Sequence, residues 1–165
     1  MAFTTIDDPS AYFKVQLYTG NGSANHAITF DDTDTDMQPD FVWIKNRDAT
    51  DSHCLFDSAR GATKVIHYDT TDKEDTDADT LDSFTSDGFE VDADVKVNTN
   101  TEKYVSWNWK AGTTSGITTN GSTTITPSAY SFNQDAGFSV IAYTGNDTAG
   151  AKDQNNYAIG TKIVF

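Results

Sequence analysis

The sequence predicts an all-β protein, an antiparallel jelly roll or β-sandwich of about ten short strands. Apolar and polar side chains alternate with a period of two, and turn-forming Gly, Asn, Asp and Pro separate the alternating segments. Asp occurs 22 times and Thr 25 times, and both are poor helix formers. The predicted strands are Tyr12–Thr19, His26–Phe30, Asp40–Lys45, Cys54–Asp57, Lys64–Tyr68, Gly88–Val97, Lys103–Lys110, Gly116–Thr119, Thr123–Thr126, Phe138–Tyr143 and Tyr157–Val164.

Length and charge limit the classes of function. The 165 residues suffice for one domain with a buried core. The net charge of −14 argues against a nucleic-acid partner, because phosphate binding requires a basic surface. No apolar run approaches the ~20 residues of a membrane span, so no membrane insertion is expected. The first residues lack the basic and apolar regions of a signal peptide, which predicts synthesis in the cytoplasm.

The chain divides into three parts. Residues 1–11 form an N-terminal arm, residues 12–146 the jelly-roll domain, and residues 147–165 a C-terminal strand and contact segment. The strand at 88–97 illustrates the pattern of the domain, since its odd-numbered positions are apolar and its even-numbered positions after Gly88 are charged. A one-residue slip in register would bury three carboxylates, so the register is expected to be firmly determined.

Two local patterns refine this organisation. Asn120-Gly121 suits a type I′ turn and predicts a hairpin over 117–125. The sequence Tyr-Thr-Gly-Asn occurs at Tyr18 and again at Tyr143, 125 positions later, in both cases after alternating apolar residues. This repeat indicates either a second, shortened copy of the module or two strands of one sheet that end in similar turns, and the first interpretation is favoured.

The acidic clusters are candidate calcium sites. Each contains Asp-x-Asp-x-Asp, but counting from Asp32 or from Asp75 gives neither the glycine nor the carboxylate of an EF-hand loop. Solvated acidic loops are the expected structure, with a looser calcium site as the alternative and no other cofactor. The candidate ligands are Asp32, Asp34, Asp36, Asp75, Asp77 and Asp79.

Few residues point to catalysis. Glu90 and Asp92 are spaced as paired carboxylates on one strand face, as glycoside hydrolysis requires, but the favoured interpretation is the solvent-exposed face of an amphipathic strand. Cys54 is the single cysteine and reads as a buried apolar side chain, not as a nucleophile beside His53. No motif for nucleotide binding or for a serine nucleophile occurs. The chain is therefore not expected to be an enzyme.

Aromatic side chains are candidates for a glycan platform. Trp107 and Trp109 share one strand face with Val105, a pattern that is typical of a core but also of a sugar-stacking surface. Tyr18 is the third candidate glycan ligand. Together with Phe41 and Trp43, the two tryptophans are expected to fill the space between two sheets. Arg60 is expected to hold a carboxylate such as Asp57 or Asp87.

Four spaced blocks resemble a known family. They are Pro39-Asp-Phe-Val-Trp-Ile-Lys-Asn-Arg-Asp48, Leu55-Phe-Asp-Ser-Ala-Arg-Gly-Ala-Thr-Lys64, Leu81-Asp-Ser-Phe-Thr-Ser-Asp-Gly-Phe89 and Tyr104-Val-Ser-Trp-Asn-Trp-Lys-Ala-Gly112. In this order they resemble a β-rich domain recurrent in tail-fibre-like and structural virion proteins of marine tailed bacteriophages. The resemblance covers roughly residues 12–146. It implies a concanavalin-like jelly roll, frequent tandem repetition, location on the virion surface and contact with a glycan or host surface.

The function expected on these grounds is that of a non-enzymatic virion surface protein, a subunit of a fibre, tail appendage or capsid decoration. It is expected to form a homo-oligomer, most simply a trimer, and to contact other virion proteins. The alternatives are a carbohydrate-binding module for host recognition and, third, a glycan depolymerase. Both ends of the chain are too apolar to prefer solvent, and the expected intersubunit residues are Phe3, Ile6, Ile163, Val164 and Phe165.

Overall fold

The computed structural model describes residues 6–30, 33, 35–118 and 123–147, together with the backbone of residues 162–164. A 3-10 turn at Pro9–Ala11 precedes the first strand, and one four-residue helix, α1 (Val95–Asn98), lies between the eighth and ninth strands. The strands of this part of the chain are β1 (Phe13–Thr19), β2 (His26–Thr29), β3 (Phe41–Asn46), β4 (Cys54–Asp57), β5 (Gly61–Ile66), β6 (Asp75–Thr76), β7 (Leu81–Thr85), β8 (Gly88–Val91), β9 (Lys103–Trp109), β10 (Ala129–Asn133), β11 (Phe138–Ala142) and β12 (Lys162–Val164).

The strands form three sheets. The main sheet has the order β1-β9-β3-β4-β5-β6, and its inner face packs against the sheet β2-β8-β7. The third sheet, β10-β11-β12, packs against part of the outer face of the main sheet. Every pairing is antiparallel except that of β11 with β12. The prediction of an all-β antiparallel sandwich is confirmed.

The sandwich core lies between the main sheet and β2-β8-β7. Alternation places apolar side chains of β3 and β4 on the inner face, opposite those of β2, β7 and β8. The fully or almost fully buried members of this core are Ile28, Phe30, Met37, Val42, Ile44, Cys54, Phe56, Val65, Leu81, Phe89, Val91, Val97 and Tyr104.

The predicted strand over 88–97 is wrong in its second half. Strand β8 ends at Val91, and the chain then forms α1. Asp94 caps this helix, because its carboxylate accepts a hydrogen bond from the Lys96 backbone N–H at 2.7 Å. Val95 is consequently 56% exposed although Val97 is buried. Alternation at a period of two thus continued past the end of the strand by coincidence, and no register argument applies there.

Other strand boundaries also differ. Strand β5 begins at Gly61, three residues before the predicted start, and β6, β7 and β10 were not predicted. The expected hairpin over 117–125 is not observed as two strands. Residues 116–118 and 123–126, the described parts of its two predicted strands, form no strand, and its turn at 120–121 lies outside the described residues. The backbone of Thr113 instead exchanges two hydrogen bonds with Phe132, which connects this segment to β10.

Two buried acidic residues hold the layers and loops together. Asp40 accepts hydrogen bonds from the Ser58 hydroxyl at 2.6 Å, from the Ala111 backbone N–H at 2.8 Å and from the Ser131 hydroxyl at 3.4 Å. It therefore links the main sheet to β10. Asp57 is fully buried and accepts the Arg60 guanidinium Nε at 2.5 Å, which confirms the expected pairing of Arg60 with Asp57.

Candidate functional site

The outer surface of the main sheet carries a continuous set of apolar side chains, which we call the aromatic face. Residues that lie opposite one another across β1, β9 and β3 form its rows, because paired residues of neighbouring strands project to the same side of a sheet. The aromatic face consists of Phe13, Val15 and Leu17 on β1, Val105, Trp107 and Trp109 on β9, and Phe41 and Trp43 on β3.

The tryptophans do not lie between the main sheet and β2-β8-β7, where the sequence placed them. The inner positions of β9 are instead occupied by Tyr104, Ser106 and Asn108, all completely buried. Asn108 donates to the backbone carbonyl of Lys14 at 3.1 Å and to the Ser106 hydroxyl at 2.9 Å. These bonds use the amide N–H groups of Asn108, while its Oδ1 is buried without a hydrogen-bond partner. The two tryptophans of this strand, at its odd-numbered positions, therefore lie on the outer face.

The third sheet covers one half of the aromatic face. The ring of Trp109 stacks on that of Phe138 with centroids 5.9 Å apart, and Phe41 meets Phe138 edge to face at 6.0 Å. Val140, the next residue of β11 on this side, belongs to the same buried cluster. The covered half therefore comprises Phe41 and Trp109, which confirms a core role for Trp109 in a second, smaller core.

The other half of the aromatic face is open. Val15 is 50% exposed and Leu17 is 57% exposed, and Val105 and Trp107 beside them are half-buried. We call these four residues the open half. Phe13, which is 39% exposed, lies at the boundary and contacts Trp109 at a centroid distance of 4.9 Å. A row of large apolar side chains on the surface of one strand is a typical interaction surface.

An aromatic cluster borders the open half. The ring of Trp43 lies 5.4 Å from Trp107 and 5.5 Å from Tyr68, whose side chain is 64% exposed. The indole N–H of Trp43 donates to Nδ1 of His53 at 2.8 Å. Burial lowers the pKa of His53, and a neutral imidazole is the form that accepts this hydrogen bond. Trp43 is thereby held in one orientation. His53 and Tyr68 belong to the site, and neither was predicted, since their loops meet β3 only in the fold.

Tyr18 lies on the opposite side of the sheet from Trp107 and Trp109. It is an even-numbered residue of β1, so it points inward, where its ring stacks on Tyr104 at 5.1 Å. Its hydroxyl donates to the backbone carbonyl of Val97 at 2.8 Å. Burial raises the pKa of Tyr18 well above its usual value. The three predicted glycan ligands therefore do not form one platform.

Cys54 is fully buried in the sandwich core. Burial raises the pKa of its thiol to about 12, so the reactive thiolate is not populated near neutral pH. Nδ1 of His67 lies 3.8 Å from the sulfur, while Nδ1 of His53 accepts the indole N–H of Trp43. The placement of Cys54 confirms the expected buried apolar role.

The predicted carboxylate pair lies beside a third acidic residue. Glu90 on β8 accepts a hydrogen bond from the Ser83 hydroxyl at 2.7 Å, and Asp92 follows the end of that strand. Asp82 lies at a register shift of β7, and its Oδ2 is buried without a hydrogen-bond partner. Burial, followed by the charges of Asp92 and Glu90, raises the pKa of Asp82. Sequence spacing missed Asp82 because it comes from the neighbouring strand.

We expect Asp82→Asn to stabilise the protein at neutral pH. A carboxyl whose pKa is raised by folding stabilises the folded state only while it is protonated, and this contribution is lost as the pH rises through the folded pKa. The amide removes the buried charge and donates towards its acidic neighbours, for a gain of about 1 kcal/mol at pH 7. Denaturation of the wild type and of the variant at several pH values measures the difference in their free energies of unfolding. This difference should vanish below about pH 4.

The matched control is Asp72→Asn, which removes the same charge from an exposed loop position. Its effect on the free energy of unfolding should stay within about 0.5 kcal/mol at every pH. Equal stabilisation by the two variants would show that general charge repulsion, and not the environment of Asp82, is responsible.

The calcium candidates are dispersed. Asp32 and Asp34 lie outside the described residues, and Asp36 is exposed. Asp75 is on β6, the Asp77 carboxylate lies 4.0 Å from the Lys96 amine and accepts the Asp79 backbone N–H, and Asp79 is exposed. Within the part of the chain that the structure describes, no three His, Cys, Asp or Glu side chains are placed to hold a metal ion.

The predicted intersubunit residues fall at the two ends. Phe3 and Phe165 lie outside the described residues, and Ile6 is half-buried before the 3-10 turn. The backbone of Ile163 and Val164 forms β12, which pairs in parallel with β11 of the same chain.

Among the described residues, no helix is long and apolar enough to cross a membrane.

Comparison with known proteins gives one match. Residues 8–161 match a family described as a domain of unknown function, DUF7483. No curated protein matches the chain, and no solved structure matches it. The matched region contains every strand of the main sheet and of the sheet β2-β8-β7, and both halves of the aromatic face. The chain therefore belongs to the DUF7483 family.

Proposed function

We propose that this protein is a non-enzymatic structural protein of a bacteriophage virion surface. It would serve as a subunit of a fibre, tail appendage or capsid decoration, assembling with copies of itself and with other virion proteins. The resemblance of its four sequence blocks to marine phage virion domains supplies the context. The observation that carries the proposal is the open half of the aromatic face, an apolar surface of the kind that mediates protein contacts.

The distribution of charge supports an assembly role. The chain carries a net charge of −14, which keeps separate copies apart at low ionic strength. None of the residues that form the aromatic face is acidic. Salt at the concentration of seawater shortens the Debye screening length to a few ångströms, so the repulsion between acidic subunits is weak and they can pack densely. An apolar face on an acidic protein suits assembly in such a medium.

A second candidate function is glycan binding during contact with a host. Tyr68, Trp43 and Trp107 form a partly exposed aromatic cluster of the kind on which sugar rings stack. Beside it lies an open groove of about 620 Å³ lined by Tyr68, Asp69, Thr70, Thr71 and Asp72. Its hydroxyl and carboxylate groups can hydrogen-bond to sugar hydroxyls. This cluster replaces the platform of Tyr18, Trp107 and Trp109 as the candidate glycan surface.

The test of the virion role is the location of the protein. Particles purified from the producing host should contain this chain in a fixed ratio to the capsid protein, and antibodies against the folded domain should label intact particles at one structural position. The control for contamination is a non-virion protein of the infected cell, which should remain in the soluble fraction when the particles are purified. Recovery of this chain only in that soluble fraction would contradict the proposal.

A further inference from the structure

We propose that the open half of the aromatic face is the contact surface for a second copy of this chain, and that the outward face of β1 in each copy packs on β9 and β3 of the other. This inference deepens the proposed structural role and rests on it. Three independent observations lead to it: the exposure of β1, the absence of acidic side chains from the face, and the way in which β11 packs on the other half.

The exposure is concentrated on one strand. Phe13, Val15 and Leu17 are successive outward residues of β1, and each is more than a third exposed. The inward residues of the same strand, Lys14 and Gln16, are buried. Strand β1 thus reverses the usual arrangement of a surface strand, in which the apolar side faces the core. An apolar outward side on β1 is expected if another layer of protein covers that side.

The distribution of charge on the aromatic face allows an identical copy to bind there. The outward residues of β1, β9 and β3 include no carboxylate, although the chain has 25 acidic residues. The two cations lie at the ends of the rows. The Lys45 amine on β3 donates to the backbone carbonyls of residues 46, 49 and 51 at 2.8 to 3.0 Å, and the Lys103 amine on β9 lies 3.6 Å from the Asp48 carboxylate. Two copies can therefore meet face to face without bringing like charges together at the centre of the contact.

The chain already contains an example of the contact. Strand β11 repeats the sequence of β1, because Phe-x-Val-x-x-Tyr-Thr-Gly-Asn begins at Phe13 and again at Phe138. Phe138 and Val140 pack on the covered half of the aromatic face. In β1 the equivalent residues are Phe13 and Val15, followed by Leu17 where β11 has the smaller Ala142. A second copy of β1 thus presents to the open half the same side chains that the covered half already accepts.

The contact is reciprocal, because β1 is both the element that docks and part of the surface that receives it. A reciprocal contact closes as a two-fold dimer. The elementary unit proposed is therefore a dimer, in place of the trimer expected from the sequence. Dimer formation should strengthen with salt, since added ions screen the repulsion between two chains of charge −14.

The experiment is sedimentation equilibrium of the full chain over micromolar to millimolar concentrations, at low and at high salt. The wild-type chain should reach the mass of a dimer. Leu17→Glu should raise the dissociation constant at least about tenfold, because the substitution enters the contact twice and brings carboxylates into it. Val95→Glu is the matched control, since Val95 on α1 is 56% exposed and the charge change is identical. It should dimerise like the wild type.

A second measurement identifies the surface. All three tryptophans of the chain lie on the aromatic face, so their fluorescence should shift to shorter wavelength as the dimer forms. A monomer at all concentrations, a trimer at saturation, equal weakening by both variants, or association without a fluorescence change would each overturn the proposal. So would a chain that stays monomeric and whose tryptophan fluorescence shifts only on addition of soluble oligosaccharides, which would assign the face to a glycan. None of these outcomes alters the location of the protein in the particle, so the two proposals fail separately.

Discussion

Gly88→Ala is expected to destabilise the protein by more than about 3 kcal/mol, or to prevent folding. Gly88 begins β8 with φ at +130°, a conformation that residues with a side chain rarely adopt. A Cβ atom at this position would lie 2.0 Å from the backbone carbonyl oxygen of Ile28 on the neighbouring strand. Neither the turn before β8 nor the pairing with β2 can move without breaking ladder hydrogen bonds. Thermal or urea denaturation measures the loss.

Substitutions at two other glycines distinguish backbone strain from the steric contact with Ile28 as the cause of the expected destabilisation. Gly61 also has a positive φ, of +111°, but open space surrounds its Cβ position, so Gly61→Ala should cost only the backbone strain of about 1–2 kcal/mol. Gly145 has neither a positive φ nor a close neighbour, so Gly145→Ala should be neutral within about 0.5 kcal/mol. Similar losses for Gly88→Ala and Gly61→Ala would show that contact with Ile28 is unimportant.

Asp57→Ala is expected to cost about 3–5 kcal/mol of folding free energy. Asp57 is fully buried, and its carboxylate accepts both the side chain and the backbone N–H of Arg60. The Arg60 side chain is itself only 10% exposed and also contacts Glu74 at 3.0 Å, so removal of the Asp57 carboxylate takes away the partner at 2.5 Å of a largely buried charge. Urea denaturation followed by circular dichroism gives the change.

A second substitution tests this explanation. Arg60→Met in the Asp57→Ala background removes the buried charge and should recover about half of the loss, which a double-mutant cycle quantifies. Lys103→Gln is the surface control, because Lys103 is 62% exposed at 3.6 Å from Asp48 and should change stability by less than about 0.5 kcal/mol. If the double variant were no more stable than Asp57→Ala, the loss would come from the carboxylate's other contacts.

Most strands of the main sheet were predictable from local sequence. Alternating residues and short apolar runs between turn residues identified β1, β3, β4 and β9 of the main sheet, and β11 of the third sheet, to within one or two residues. The same rule failed at Val95 and Val97, where an aspartate cap starts a helical turn that preserves apolar residues at alternate positions. It also missed β6, β7 and β10. Each of these segments pairs with the strand next to it in the sequence, and this pairing, not alternation, makes it a strand.

The candidate site shows the limit of the same reasoning. Sequence spacing placed Trp107 and Trp109 on one side of a strand, and they are on one side. It assigned that side to the space between the two sheets of the sandwich, whereas the opposite side of β9, with Tyr104, Ser106 and Asn108, faces that space. It also grouped Tyr18 with the tryptophans, although β1 pairs with β9 in a register that sends Tyr18 inward and Val15 outward. His53 and Tyr68 reach Trp43 only through the folding of loops.

By itself, the sequence determined that this chain forms antiparallel strands, that its surface is acidic and that bulky aromatic residues share single strand faces. These properties depend on composition and on neighbours two residues apart, where the geometry of an extended backbone is sufficient. Only the tertiary structure decided which strand face is buried and which half of the aromatic face the third sheet covers. Those properties depend on contacts between residues tens of positions apart, and no local pattern records them.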